Sequence, residues 1–329
     1  MNRQPLPNGY RIKMPNGAVY TINHLIGEGG FSFVYSSDTA GGTASAVIKE
    51  FFPVRGAFRN KDGIVLPVVG NEENFRRNLT RFENEGFIGG KVSEVSFQTI
   101  AFLNTVTGYA VMKHESKDMQ SVSDLVKRWR THPPTPFTGS LADCDPIFPD
   151  MVRVRYALRI IESVLAALEV VHNNGYLHLD ISGHNVIWAG HDVETGEHCE
   201  AFLADFGCSV KMDSGEYHPE YPFSYSPGFA APEVQQNTDC LTPATDLYSV
   251  GVLLFYLCVG EHALEITHNR KRQIHRETAH LAIPKRILAD LQKIITTATS
   301  AMPDRYQTVS SMLKDVRTLR NAIPVHPLN

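Results

Sequence analysis

The hydrophobic pattern of this 329-residue chain changes period once, and that change limits the folds open to it. Up to about residue 113 the apolar residues fall in short runs that alternate or are bounded by turn residues. These are Tyr20 to Ile26, Phe33 to Ser37, Ala44 to Phe51, Phe97 to Leu103 and Tyr109 to Lys113. Such runs predict strands. Arg11 to Met14 and Ala18 to Ile22 flank Pro15-Asn16-Gly17, a hairpin-turn signal. Phe52-Pro53 stops the third strand. Residues 54–71 then read as an insertion, with a short strand at Ile64 to Val69. One helix interrupts the strands, Glu73 to Ile88, with Phe75, Leu79 and Phe82 on one face. Gly86, Gly89 and Gly90 weaken its end.

Beyond residue 121 the spacing is helical. Val122 to Thr131 is short, and a Pro-rich loop from Pro133 to Pro149 follows. Val152 to Asn173 is long and amphipathic, with Tyr156, Ile160, Val164, Leu168 and Val171 on one face. Leu247 to Val259 is nearly all apolar and predicts a helix buried on most sides. Ile287 to Ser300 and Thr308 to Asn321 are amphipathic. The pattern predicts an α+β chain with two cores that meet near residues 113–121. No internal repeat interrupts it.

Composition narrows the function. Hydrophobic residues make up 43% of the chain, enough for a sizeable core, and the net charge is −4. A nucleic-acid or membrane-surface protein wants a clear basic excess, so neither partner is expected. The five cysteines are scattered, without metal-ligand spacing, and the 14 histidines form no HExxH. Residues 1–10 are polar and unlike a signal peptide. The longest apolar run, Val250 to Gly260, is shorter than the roughly 20 residues of a membrane helix. A cytoplasmic protein is the expectation.

Several short motifs fall in a fixed order. Gly27-Glu28-Gly29-Gly30-Phe31-Ser32-Phe33-Val34 lies between two predicted strands, and a glycine turn lets backbone N–H groups approach a polyphosphate. Val47-Ile48-Lys49 follows, an apolar strand whose lysine is costly to bury unless it meets anions. His178-Leu179-Asp180 leads to Asn185, and Asp205-Phe206-Gly207 and Ala231-Pro232-Glu233 come after. Each is weak alone. In this order they resemble the signature set of the protein kinases, from about Tyr20 to Leu319, and the details resemble a bacterial Ser/Thr kinase of the eukaryotic-like type. An insertion after Glu50-Phe51-Phe52-Pro53 is similar to many bacterial members.

The resemblance implies a bilobal kinase fold. After an N-terminal extension at 1–19 come a β-rich N-lobe (20–112), a hinge (113–121), a helical C-lobe (122–320) and a short tail (321–329). It implies Mg-ATP between the lobes, with Mn²⁺ as an alternative metal, and a protein substrate with a Ser/Thr acceptor; self-association for autophosphorylation stays open. Asp180 would be the base, and Asn185 and Asp205 the metal ligands. Lys49 would bind the α- and β-phosphates and pair with Glu85, or with Glu83. The nucleotide would meet Ile26, Gly27, Glu28, Gly29, Gly30, Val34, Val47, Lys49, gatekeeper Met112, His114 of the hinge, and Ile187. Glu233 would pair with Arg305, and Asp246 would hydrogen-bond the catalytic-loop backbone.

The chain departs from the family pattern at two places. Leu179 stands where an arginine normally reads an activation-segment phosphate, and Ser182 stands where a lysine normally steadies the γ-phosphate. Ser209, Ser214, Tyr217, Tyr221 and Ser224 are candidate phosphoacceptors, and Ser226 takes the place of a threonine near Asp180. Two other readings remain: a pseudokinase scaffold, favoured by Leu179 and Ser182, and a small-molecule kinase of related fold. Against the second stands the segment Ser226-Pro227-Gly228 to Ala231-Pro232-Glu233.

Overall fold

The computed structural model describes residues 3–14, 17–39, 45–92, 98–103, 109–113, 119–131, 148–189, 200–212, 225–236, 241–260 and 270–324. The chain divides into two compact units, residues 1–117 and 118–329.

The first unit is an antiparallel sheet with one long helix. In chain order it holds β1 (Arg11–Lys13), β2 (Val19–Glu28), β3 (Ser32–Thr39), β4 (Ser45–Phe51), β5 (Ala57–Arg59), β6 (Val65–Pro67), α1 (Glu72–Lys91), β7 (Gln98–Leu103) and β8 (Tyr109–Lys113). Six strands pair in the order β1-β2-β3-β4-β8-β7, and β5 and β6 form a separate hairpin. Two register shifts, between Ile22 and His24 and between Leu25 and Gly27, bend β2. Successive residues of β4 point to opposite faces. Phe51 goes with Lys49, and its ring meets Phe75 and Phe82 of α1 at 5.2 and 5.6 Å. Ile48 and Glu50 go to the other face, beside Phe33 and Tyr35 of β3, and all four are fully buried.

Two sequence expectations shift here. The insertion carries β5 as well as the anticipated β6, paired Ala57 to Pro67 through Arg59 to Val65. Helix α1 runs through its three glycines to Lys91. A helical glycine costs about 1 kcal/mol relative to alanine, and tertiary burial of Ile88 and Gly89 offsets it.

The second unit contains β9 (Met119–Ser121), α2 (Val122–Thr131), α3 (Phe148–Asn173), β10 (Tyr176–Leu177), β11 (Val186–Ala189), β12 (Glu200–Leu203), β13 (Val210–Lys211), α4 (Pro232–Gln235), α5 (Pro243–Val259), α6 (Arg270–Thr278), α7 (Lys285–Ala298) and α8 (Val309–Ala322). Its core is α5, buried along almost its whole length and packed on α3 and α7. Thr242 starts α5 with a capping box shared with Thr245, and Pro243 occupies the first turn. The apolar pattern alone suggested a start at Leu247. Helix α3 begins four residues before the expected Val152, because Pro149 sits in a first turn, where its missing N–H is harmless. Helix α6 has only Ile274 and Thr278 buried, too sparse an apolar stripe to read as periodic. Among the described residues no helix is long and apolar enough to cross a membrane.

Candidate active site

The residues singled out by sequence fall into two groups, one in each unit. In the first unit, register sets out the group. Gly27 of β2 lies opposite Val34 of β3, Val34 opposite Lys49 of β4, and Lys49 opposite Ala110 of β8. Val47 lies two residues from Lys49 on the same face, opposite Met112 in register. Lys49 Nζ donates to both carboxylate oxygens of Glu85, at 2.6 and 2.8 Å. Both side chains are largely buried, 11% and 15% exposed, so solvent screens the pair only weakly. Helical geometry selects the partner: Glu85 is three residues after Phe82, whose ring lies 6.0 Å from Lys49 Nζ. Glu83 is not that partner.

The fold itself does not demand the glycines between β2 and β3. Gly27, Gly29 and Gly30 all lie outside the left-handed φ region. A Cβ on Gly27 would meet Val34 no closer than 3.6 Å, one on Gly29 would meet Ser32 at 3.8 Å, and one on Gly30 would meet nothing within 4 Å. The space beside this backbone is open. That suits a ligand that needs bare N–H groups close by, as a polyphosphate does. Ile26 is half exposed, and Val34 and Val47 are partly covered. His114 lies outside the described residues.

In the second unit the group is built on the loop between β10 and β11. Asp246 of α5 is fully buried and organises that loop. Its Oδ2 accepts from the His178 N–H at 2.9 Å, and its Oδ1 from the Leu179 N–H at 2.7 Å. His172 Nε2 lies 2.9 Å from Oδ2. Burial by itself would raise the Asp246 carboxyl. The bond to His172, its electrostatic attraction and the backbone donor of His178 overturn this, and the Asp246 pKa lies below the ordinary value. These bonds also hold Leu179 at φ 64°, a left-handed backbone that costs a non-glycine residue of order 1–3 kcal/mol.

Asp180 follows. Its Oδ1 accepts from the Ser226 N–H at 2.8 Å, and its Oδ2 from Asn185 Nδ2 at 2.8 Å. Burial raises the Asp180 pKa, and hydrogen bonds from Ser226 only partly oppose it. A carboxylate that is partly shielded from water, oriented and more basic than usual is suited to accept a proton. His178 is fully buried, its ring 4.8 Å from that of Phe206, and burial lowers its pKa. Its Nδ1 accepts from the Asp180 N–H at 3.3 Å, which fixes a neutral, packed imidazole. Gly183 is required by close approach, since a Cβ there would lie 2.6 Å from Ser123 Oγ.

Strand pairing brings Asp205 toward Asn185. Val186 of β11 lies opposite Leu203 of β12, and the Ala204 N–H donates to the Asn185 carbonyl at 2.8 Å. Ile187 lies one residue along, opposite Phe202. Asn185 uses its amide nitrogen toward Asp180, which leaves the oxygen as the atom it can offer a cation. Asp205 holds φ 62°, and its Oδ1 accepts from the Gly207 N–H at 3.3 Å. Among the described residues no cluster of three or more His, Cys, Asp or Glu could hold a metal by itself. One carboxylate and one amide oxygen fit Mg²⁺, which takes few protein ligands and completes its shell with phosphates and water.

Nearby packing supports the loop. Arg305 Nη1 lies 2.6 Å from Glu233 Oε1, and the guanidinium also donates to Ala244 and Ser300 carbonyls. The Phe229 ring meets Tyr256 at 5.6 Å. Leu179 is buried where the family's arginine would be. Ser182 is also buried, and its Oγ has no hydrogen-bond partner among the described residues. Ser214, Tyr217, Tyr221 and Ser224 lie outside the described residues.

Sequence reasoning missed a second charged cluster in the first unit, on the face of β4 opposite Lys49. Glu50 follows Lys49 in sequence but faces the other way. Its oxygens take Arg59 Nη1 and Nη2 at 2.7 and 2.9 Å, and the Tyr35 hydroxyl at 2.8 Å. The period of two along β4 was the available signal, because an acid on the core-facing side calls for a buried partner.

The fold is that of known kinase domains. The chain superposes on the apo form of PpkA-294 with a TM-score of 0.66 at 23% identity, covering 95% of this chain and 99% of the other. The Mycobacterium tuberculosis PknI kinase domain gives 0.60 at 18%, with coverage of 96% and 100%. The protein kinase domain family matches residues 145–324, so the chain belongs to the protein kinases. It is similar to serine/threonine-protein kinase PknK of Mycobacterium bovis, 24% identical over 309 residues. It is also similar to a probable serine/threonine-protein kinase of Clostridium perfringens, 21% identical over 313 residues. These alignments cover 91% and 92% of this chain but only 24% and 38% of the relatives.

Proposed function

We propose that this chain is an ATP-dependent serine/threonine protein kinase that transfers the γ-phosphoryl group to a protein hydroxyl. The observation that carries this reading is the Asp180 carboxylate, partly buried and held through both oxygens by Asn185 and Ser226. Bound Mg-ATP would supply the γ-phosphoryl group, its bond to the β-phosphate oxygen breaking to release ADP, and the metal would neutralise the phosphate charge. Asp180 orients the acceptor hydroxyl and takes its proton as the oxygen–phosphorus bond forms. Lys49, fixed by Glu85, offers its ammonium to phosphate oxygens. Asn185 and Asp205 offer the metal their oxygens, and the backbone of the glycine turn, uncovered by any Cβ at Gly27, Gly29 and Gly30, lies open to the phosphates.

The test is thermal stability with and without Mg-ATP, alongside transfer of radiolabelled phosphate to a generic Ser/Thr peptide. At a ligand concentration a hundredfold above Kd, stabilisation of about 2.7 kcal/mol is expected. Asp205→Asn keeps a side chain that tolerates the left-handed backbone but weakens the metal ligand, and it should abolish most of the Mg-dependent part. A wild type that is stabilised but transfers nothing is a pseudokinase. One that shows no stabilisation sinks the nucleotide reading as well.

The buried Leu179 leads to a prediction about control. Arg–phosphate contacts are the usual means of ordering an activation segment; here Asp246 orders the catalytic loop, and the Glu233–Arg305 pair and the Phe229–Tyr256 contact hold the described end of the segment. Phosphatase-treated protein should retain its activity. A fall of more than about tenfold, ~1.4 kcal/mol, would show that some phosphate is read after all.

A further inference from the structure

The N-terminal segment, before β1, runs along the core-facing side of the first unit and ends at the glycine turn. Gly9 and Ile22 are joined by a backbone bond of 2.8 Å, and the Leu6 N–H donates to the Tyr35 hydroxyl at 2.9 Å. Arg59 Nη2 donates to the Gln4 carbonyl at 3.2 Å, so the Glu50 cluster anchors the segment. Arg3 follows. Its guanidinium carbon lies 4.0 Å from the centre of the Phe33 ring and 5.7 Å from that of Phe52. Its Nη1 meets Glu28 Oε1 at 2.8 Å. Glu28 is the second residue of the glycine turn.

The two partners differ in burial, and that decides which holds which. The Arg3 side chain is 8% exposed and clamped on an aromatic face, while Glu28 is 57% exposed. A half-exposed ion pair adds little stability. What it can do is fix the freer partner to the more rigid one. The far arm of the turn is held separately, by Phe52 N–H to the Phe31 carbonyl and Val54 N–H to the Gly30 carbonyl, both 2.9 Å. On the near arm Glu28 pairs with Phe33 and the Gly29 N–H bonds to the Ser32 carbonyl within the hairpin, and Arg3 adds a side-chain tether from outside it.

We propose that Arg3 is a positioning residue for the glycine turn, acting through Glu28 to hold the turn in its nucleotide-receiving conformation before nucleotide arrives. The idea rests on the kinase reading for its consequence but not for its geometry. Without the tether, ordering the turn becomes part of the binding step, and binding weakens by the amount of that ordering.

The experiment is a double-mutant cycle of Arg3→Ala and Glu28→Gln in the full chain. Amide hydrogen exchange across residues 27–34 is followed without nucleotide, and the Kd for Mg-ATP is measured by calorimetry. Either single substitution should speed exchange in the turn and raise Kd about three- to tenfold. The double variant should do no more than either single one. Where transfer is measurable, Arg3→Ala should leave kcat within about twofold while KM for ATP follows Kd. Unchanged exchange in both single variants overturns the proposal, as does additivity in the double. So does a lowered melting temperature with exchange and Kd unaltered, which would make Arg3 structural only. If the wild type transfers no phosphate, the kinase reading fails while the exchange data still decide the tether.

Discussion

Asp180→Asn should lower phosphoryl transfer by at least ~10²-fold, the scale of losing general acid–base assistance, without lowering the melting temperature. The second half follows from the electrostatics. Burial raises the Asp180 pKa, so the ionised form is penalised in the folded state. Above its folded pKa the carboxylate therefore diminishes stability, and a neutral amide of the same shape removes that penalty. One of the bonds from Ser226 and Asn185 is lost in exchange. In the wild type, activity should rise with pH through an acid limb above the ordinary Asp value of about 3.9, and that limb should vanish from the residual activity of the variant. Transfer rates, calorimetry and a pH–rate profile check the three parts. Equal activity in variant and wild type would remove Asp180 from the chemistry. A fall in activity that tracks a fall in stability would make it merely structural.

Asp246→Ala should cost about 3–5 kcal/mol of stability, the scale for breaking a buried charged group away from its partners. The side chain is inaccessible to water and faces three donors, the His178 and Leu179 N–H groups and the His172 ring. Removing it leaves those groups dry and unpaired, each costing about 1–3 kcal/mol. It also frees Leu179 from its left-handed backbone, so Asp180 loses its placement and activity falls further than stability. Asp246→Asn, which keeps one acceptor, should lie between. Because the folded pKa of Asp246 is depressed, its contribution is present above the unfolded value of about 3.9 and is lost as pH falls through the folded one. Urea unfolding at neutral pH and near pH 3 measures both effects. A loss below about 1 kcal/mol for the alanine variant would show that water or a neighbour satisfies the donors.

Much of the site could be read from the chain because its motifs are local. Asp180 and Asn185 sit in one loop, and Gly27 to Gly30 in one turn. Asp205 follows an apolar strand, and the order of the family's motifs, not spacing alone, singles it out. The change from strand to helical period separated a sheet-rich part from a helix-rich part. The Glu233–Arg305 pair spans 72 positions, yet family order foretold it and the structure contains it.

Packing decided the rest. Lys49 faced two candidate glutamates on α1, and only the rotation of that helix over β4 set Glu85 against it. Glu50 reads as the neighbour of Lys49, but the pleat turns it to the opposite face, where Arg59 neutralises it and the Tyr35 hydroxyl donates to it. His172 gives no periodic signal for its bond to Asp246, 74 positions away. Arg3 looks like a terminal charge until β1 pairs with β2 and carries it to Phe33 and Glu28. The sequence by itself determined where strands, helices and chemical groups lie along the chain, because those follow from local periodicity and short spacing. Which charge meets which depended on the tertiary structure, because burial allows a charged group to persist only where a distant part of the chain supplies its partner.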